Sequence, residues 1–441
     1  MMYLTKTTCM AFALGALFVC APDLFAQETE QHSLSLAEAL AIAKKQNVDV
    51  MVARLRVLES KEATHISKAA LLPQVNLGVQ NYVTRFNLQS ITGGDQVTAL
   101  GPYQVTQGGP SFSQVLFDLG AVRRLQATKQ TETTTLSNEK TVEQTVERGV
   151  IAQYLTIARA RAELDRANAR LALAQRLETE AEHLQSAGVG TSIDTLRARY
   201  ELEAEHHQVI DAEAAQKIAK HQLIELLQLP PDKDIEIVPL TNIANVEPAS
   251  STDIGMALQD RPEEAAAKSE VLKAELQKKA AAAQHLPVVQ FSGSWEQQGR
   301  TWGGMIPAYT YQATATLPIF TSGRIQAEIR NADLEKRRAI ETQRGVEAAI
   351  SYQVVAAKTN LTASRSALAV AKRATALAHE ELVQAEHRFN VGVANNIELV
   401  TAQQSLATAD ASEIASDYLY RQATVDLYRA LGRVEEFGVQ Q

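Results

Sequence analysis

Two carboxylates in this chain recur in the same local setting. Asp194 ends the run Gly188-Val189-Gly190-Thr191-Ser192-Ile193-Asp194, and Glu398 ends Gly392-Val393-Ala394-Asn395-Asn396-Ile397-Glu398. They are 204 residues apart, and so are the residues ahead of them, Ala181-Glu182-His183 and Ala385-Glu386-His387. Each acid follows a glycine break and stands at the start of an expected helix. There a carboxylate opposes the positive helix end, a local role worth a few tenths to about 1 kcal/mol. That role would explain either residue alone. Recurrence in register points further, because carboxylates gathered by symmetry favour cations and raise some of one another's pKa values by repulsion.

No other grouping amounts to a reactive site. The nine histidines include no HxxxH pair, and the adjacent His206-His207 cannot share one helix face as metal ligands do. Serine, histidine and aspartate all occur, but no nucleophile elbow, Walker loop or HExxH stands in a fitting context. The sequence therefore predicts no catalytic residues, no metal and no cofactor. A net charge of -8 argues against nucleic-acid binding, which normally needs a basic face.

The first 26 residues read as a secretory signal, with Lys6, an apolar run from Met10 to Cys20, and Leu24-Phe25-Ala26 before the expected cut at Gln27. Cys20 ends the apolar run as a lipid-anchored cysteine would, but Val19 stands where a small residue is expected. Cys9 and Cys20 are the only cysteines, so the exported chain would hold none and must be fastened by packing or assembly. No stretch after residue 27 reaches the roughly 18 apolar residues of a membrane helix, so a membrane crossing would have to use strands.

The elements that position the two acids are written twice. Val142-Glu143 pairs with Val346-Glu347, Ile157 with Leu361, Leu164 with Leu368 and Leu223 with Leu427, all at 204. Leu72-Pro73 matches Leu286-Pro287 at 214, and Phe117 to Gly120 matches Phe320 to Gly323 at 203. The first half opens with a helix from about Ser35 to Leu71, started by the capping box Ser35-Leu36-Ala37-Glu38 and stopped before Pro73. An alternating strand follows over Val75 to Gln80, then a polar loop over Ser90 to Pro110, then a second strand leading to Phe117-Asp118-Leu119-Gly120. From Ala121 to Ala187 the chain has no proline, and its apolar residues recur at three, four and seven; such a helix runs about 100 Å. The turn at Gly188 leads into a return helix to about Leu229. The second half repeats the order: a helix over about Ile254 to His285, strands over Val289 to Trp295 and Tyr309 to Leu317, a helix over Arg324 to Val391, and a return helix over Asn396 to Leu431. These readings divide the chain into a signal at 1–26, a first repeat at 27–229, a linker at 230–251, a second repeat at 252–432 and a tail at 433–441.

The last strand places Tyr309, Tyr311, Ala313, Ala315 and Leu317 on one face, and Thr310, Gln312, Thr314 and Thr316 on the other. Apolar outside and polar inside is the pattern of a membrane barrel enclosing water, and Trp295, Tyr309 and Tyr311 suit an interfacial aromatic belt. Four strands cannot close a barrel, because about eight is the minimum, so the chain must oligomerise; three copies would supply twelve. Helices of about 100 Å with only a narrow apolar seam also need partners along their length.

The order of elements and the turn sequences resemble the TolC-like outer-membrane efflux protein family over about Leu34 to Gly432. The residues carrying the resemblance are Leu72-Pro73, Leu286-Pro287, Leu317-Pro318-Ile319-Phe320-Thr321-Ser322-Gly323-Arg324 and the two glycine turns. It implies a mostly helical homotrimer, with a twelve-stranded transmembrane barrel in the outer-membrane lipid of a didermic bacterium, continuous with an α-helical coiled-coil tunnel in the periplasm. Pro73, Gly120, Pro287, Pro318 and Gly323 would mark the barrel–helix junctions. The tunnel's far end would meet a periplasmic adaptor and an inner-membrane pump, as part of an efflux or type I secretion system. Adaptor docking would fall on the turns at Gly188, Val189, Gly190, Gly392, Val393 and Ala394, and the family's closing acids on Asp194 and Glu398. A second acidic ring of the family falls on Thr401 and a basic latch residue on Ala394, so both look absent here. Beside this stands a pore-free periplasmic scaffold or adaptor, which would account for the helices but not for four strands placed symmetrically before them.

Overall fold

The computed structural model describes residues 32–86, 100–238, 253–391, 393 and 396–439. The expected signal segment, Cys9 and Cys20 included, lies outside them. The described elements are β1 (His32–Leu34), α1 (Leu36–Gln46), α2 (Val48–Ala69), β2 (Gln74–Phe86), β3 (Leu100–Phe117), α3 (Leu119–Ser186), α4 (Ser192–Leu227) and β4 (Ile235–Ile237). They continue with α5 (Asp253–Asp260), α6 (Pro262–Ala282), β5 (Val288–Gly299), β6 (Ile306–Thr316), α7 (Arg324–Asn390), α8 (Asn396–Leu431) and α9 (Val434–Val439). The chain is thus mostly helical with a small sheet part. None of its described helices is long and apolar enough to cross a membrane.

The two long helices, α3 with 68 residues and α7 with 67, each run about 100 Å. Each doubles back against its successor, α3 on α4 and α7 on α8, while α3 also touches α8 and joins the two hairpins. Alanine makes this close pairing possible. Ala160, Ala167, Ala174 and Ala181 are buried at intervals of seven along α3, and Ala371, Ala378 and Ala385 along α7. A strict seven-residue period under-winds the helices into a left-handed supercoil, and the small side chains let the backbones approach.

Away from the alanine seam, the main core gathers around the middle of the long helices. Val150, Ile151, Tyr154 and Ile157 of α3 meet Leu223 and Leu227 of α4, Ile235 and Ile237 of β4, Leu34 of β1 and Phe437 of α9. Here β1 and β4 pair in parallel, although some 200 residues separate them (His32 opposite Ile235). Tyr154 fastens that pair: its hydroxyl donates to the Val238 carbonyl at 2.6 Å and lies 3.1 Å from the Leu34 carbonyl. Burial pushes the Tyr154 phenol up to about 12, so it stays a donor throughout the physiological range.

The structure corrects three sequence readings. The first helix does not run unbroken from Ser35 to Leu71. Asn47 is extended (ψ 132°) and divides it; its side-chain oxygen accepts from Asp49 N–H at 3.0 Å while its amide donates to the Leu226 carbonyl at 3.0 Å. The capping box at Ser35 is present as read. Likewise Arg261 (ψ 127°) splits the second-half helix into α5 and α6, with Pro262 opening α6. Its guanidinium is buried and donates to Glu263 at 3.1 and 2.9 Å and to Gln353 at 2.5 Å. Burial pushes the Glu263 carboxyl up, but the guanidiniums of Arg261 and Arg429 outweigh it and hold it at about 2. The third correction concerns the loop over Ser90 to Pro110: β3 already begins at Leu100, so only 87–99 lie outside the described residues on that turn.

Candidate functional site

At one end of the hairpins the chain turns twice in the same way. Gly188 takes a left-handed conformation (φ +76°), and the Val189 N–H reaches back to the Leu184 carbonyl at 3.0 Å, closing α3 in a Schellman-type turn. Gly190 follows tightly, since a Cβ there would lie 3.0 Å from the Gln185 nitrogen. At the second turn the Val393 N–H reaches the Arg388 carbonyl at 2.9 Å, so Arg388 stands relative to its turn where Leu184 stands relative to its own. Gly392 and Ala394 lie outside the described residues. Val189 and Val393 are exposed at the two extremities.

The acids behind the turns are both engaged. Asp194 belongs to a capping box: its Oδ2 accepts from the Thr191 hydroxyl at 2.6 Å and the Thr191 N–H at 3.3 Å, while its own N–H donates to Thr191 Oγ1 at 3.4 Å. Glu398 accepts from Arg388 Nε at 2.8 Å, across the turn between α7 and α8. Thr401, in the place of a second acid, donates its hydroxyl to the Ile397 carbonyl at 2.8 Å. Arg388 carries no recognisable motif; the sequence clue is only that a turn of this length brings positions ten apart face to face.

Both turns lie at one end of the molecule. Ala181 and Ala198, close to the first, line the same small cavity as Phe389 and Leu399, close to the second. Leu173 and Leu177 of the first hairpin pack there against Leu382, Ala385, Leu399 and Ala402 of the second. Glu201 of α4 reaches into this joint, beside cavities of about 20 and 30 Å³ that it shares with Ala174 and Gln403. Burial, then the neighbouring Glu205 carboxylate, push the Glu201 carboxyl up. Glu205 itself accepts from Arg170 Nε at 3.1 Å. Neither Glu201 nor this joint was legible from motifs.

The other end of the hairpins carries the sheet, ordered β2-β3-β5-β6 and antiparallel throughout. Its register sorts the side chains by polarity. Val75 faces Phe112 and Leu77 faces Pro110; Phe112 faces Gly293, which faces Tyr311; Phe291 faces Ala313, and Trp295 faces Tyr309. These residues share one surface. The opposite surface carries Asn76 against Ser111, Ser113 against Ser292, and Ser292 and Gln290 against Gln312 and Thr314. Gln114 interrupts the apolar surface opposite Phe291. Rings close over the missing side chain at Gly293, where a Cβ would lie 2.5 Å from Tyr311 and 2.6 Å from Phe112. The centroids of Phe112 and Phe291 are 5.4 Å apart, and those of Tyr309 and Tyr311 5.9 Å. Trp295, Tyr309 and Tyr311, the expected belt residues, are 61%, 72% and 57% exposed, so among the described residues nothing covers this apolar surface.

The expected junction residues sit between the sheet and the helices. Pro73 separates α2 from β2 and Pro287 precedes β5; Gln74 backs up the first by donating its side-chain amide to the Ala69 carbonyl at 2.8 Å. Pro318 follows β6, and Ser322 (φ 49°) with Gly323 (φ 80°) turns the chain into α7. Gly120 lies in the first turn of α3, where a Cβ would stand 3.4 Å from the Ala280 carbonyl, so the end of α6 packs tightly there. Among the described residues no cluster could hold a metal ion.

Comparison with known proteins places this geometry. The model of a family described as outer membrane efflux protein matches residues 39–228 and 254–433. The chain is 23% identical to the pyoverdine export outer membrane protein OpmQ of Pseudomonas putida over 417 residues, which cover 91% of this chain and 86% of that one. It is 25% identical to the toluene efflux pump outer membrane protein TtgF of Pseudomonas putida, over 90% of this chain and 83% of the other. It superposes on the CmeC outer membrane channel of Campylobacter jejuni with a TM-score of 0.78 and 16% identity, covering 90% of this chain and 86% of that one. VceC of Vibrio cholerae gives 0.78 at 17% identity, covering 90% and 96%. At such identities the superpositions establish a shared fold.

Proposed function

The chain belongs to the outer membrane efflux protein family, and on that premise we propose that three copies form the exit duct of a tripartite export system. It is an outer-membrane efflux protein; the proposal concerns how it works. One observation carries it: a four-stranded sheet with one apolar and one polar surface stands at the end of two hairpins of about 100 Å. Among the described residues β2 and β6 pair on one side only. An open sheet edge is not tolerated in lipid, where each unpaired N–H or C=O costs several kcal/mol. Three copies joined edge to edge give twelve strands, with the apolar surface toward lipid and the polar surface around water. The antiparallel alternation also fits: β6 of one copy runs opposite to β2 of the next.

The helical part supports the same assembly. Val48, Met51, Val52, Leu55 and Leu58 are exposed on α2 at helical spacing, and a neighbouring copy would cover them. The hairpins of three copies then enclose a tunnel that continues the barrel into the periplasm. On this reading residues 27–229 and 252–432 are two copies of one unit, joined by 230–251, with 433–441 as a tail; the two separate family matches support it. The duct is passive and non-enzymatic. The turns at Gly188–Gly190 and Gly392–Ala394 meet a periplasmic adaptor and, through it, an inner-membrane pump. Threefold symmetry gathers Asp194 and Glu398 into six carboxylates that narrow the mouth and favour cations.

Disulfide trapping tests the assembly. Leu77→Cys on β2 is combined in turn with cysteine at Tyr309, Tyr311, Ala313 or Ala315 on β6. Oxidation in outer-membrane fractions should produce covalent dimers and trimers in at least one combination, and none with either single cysteine. Failure of all four, with the protein present in the outer membrane, contradicts edge-to-edge closure.

A further inference from the structure

Glu201 stands in the seam between the two hairpins, where it lines both small cavities together with Ala174 of α3 and Gln403 of α8. Each cavity has room for about one water. Among the described residues nothing donates a hydrogen bond to the Glu201 carboxyl. The charged groups facing it are Arg170 of α3 and Glu205 of its own helix, and these engage each other at 3.1 Å. From α8 and α7 only neutral side chains reach the cavities, Gln403 and Phe389 among them. Two turns further from the tip, Asp410 of α8 is 7% exposed and meets Arg166 of α3 only at 3.7 Å. Its Oδ1 accepts no hydrogen bond among the described residues. The seam thus closes over carboxylates that it does not satisfy, and an unsatisfied charge opposes its own burial.

We propose that Glu201 makes this seam proton-sensitive: with the carboxyl neutral the hairpins close on it, and with the carboxylate ionised water enters and they part. Both hairpins belong to one chain, so the switch does not depend on three copies enclosing a duct. Its sign follows from burial. Desolvation, then the Glu205 carboxylate, hold the Glu201 carboxyl above its ordinary range while the seam is closed. In an open seam water solvates the group and the ordinary range returns. Closing therefore takes up a proton; it is favoured as pH falls through the raised value and opposed above it. One proton per chain changes the closed-to-open ratio by at most about tenfold per unit of pH.

The test is the distance between spin labels at Gln175→Cys on α3 and Gln384→Cys on α7, both exposed positions on different hairpins. Cys9 and Cys20, the only native cysteines, are replaced by alanine. Labelled chains are diluted with unlabelled ones, so that distances within one chain dominate. Between about pH 8 and about pH 5 the short-distance population should grow, by at most about tenfold per unit of pH relative to the long-distance one. Glu201→Gln should hold that population high at both ends of the range. Glu205→Gln removes the repelling carboxylate and frees Arg170 to meet Glu201, so it should move the midpoint to lower pH. A distance unmoved by pH without these changes, or a full response surviving in Glu201→Gln, overturns the role of Glu201; the second result would pass it to another group, such as His183 or His387 near the tips. If Glu201→Gln does not fold, Glu205→Gln decides alone, and an unmoved midpoint overturns the proposal.

Discussion

Arginine at Ala313 or Ala315 should abolish the outer-membrane assembly, whereas arginine at Thr314 should leave it intact. The three residues are neighbours on β6, but the register puts Ala313 opposite Phe291 and Ala315 opposite Val289, while Thr314 lies opposite Gln290. If the apolar surface faces lipid, an arginine near the bilayer midplane costs about 2–4 kcal/mol. Every substitution appears three times in a trimer, so the penalty reaches about 6–12 kcal/mol, comparable to a whole folding free energy. On the same reading Thr314 would face water inside the barrel and pay no such cost. The measurement is the amount of heat-modifiable oligomer in outer-membrane fractions. Equal loss for all three substitutions would show only that β6 tolerates no bulk, and loss for Thr314→Arg alone would invert the assignment of the two surfaces.

The second large effect lies at the girdle halfway along the helices. Tyr154→Ala should cost about 3–5 kcal/mol, as removal of a fully buried ring does, since Tyr154 has 0% exposure. Its loss also leaves the Leu34 and Val238 carbonyls without the hydroxyl that joins them. The damage should be local before it is global: amide exchange should speed up in β1 and β4, the three-residue strands whose ends the Tyr154 hydroxyl joins. Tyr154→Phe separates the two contributions. It keeps the ring and loses the hydrogen bond, so it should cost about 1–3 kcal/mol and accelerate exchange at Val238 more than in α3. Unchanged exchange in both strands would show that the hydroxyl fastens nothing.

The long helices were legible because little interrupts them. Between Ala121 and Ala187 the only glycine is Gly149, and the structure makes that whole stretch one helix. The strands of the second half were legible because their alternation is clean, and Pro318 stops β6 as expected. The breaks at Asn47 and Arg261 were missed for different reasons. Pro262 was a fair signal for a new helix start, whereas Asn47 reads as an ordinary helical residue until its two-sided bonding is seen. The start of β3 was hidden by Gly108-Gly109-Pro110, which resembles a loop. A Cβ at Gly109 would run into the Trp295 carbonyl, so the glycine there serves a close approach of strands rather than a turn. β4 has three residues and a partner two hundred positions away, beyond what local pattern can reveal.

At the tip, the turns and both acids were legible, but their partners were not. Asp194 looked like a helix-capping acid and is one, through Thr191. Glu398 looked equivalent to it and meets Arg388, because the turn folds residues ten apart onto each other. Pattern predicts which residues recur; only the folded turn shows which charges offset one another.

Whether this protein is a water-filled, cation-preferring duct built from several copies is tested most directly by a planar-bilayer recording. The purified wild-type assembly should give a small conductance favouring cations, and Asp194→Ala with Glu398→Ala should enlarge it while weakening the preference. A monomer that produces no conductance would contradict the duct, and a conductance unmoved by both substitutions would contradict the mouth assigned to these two acids.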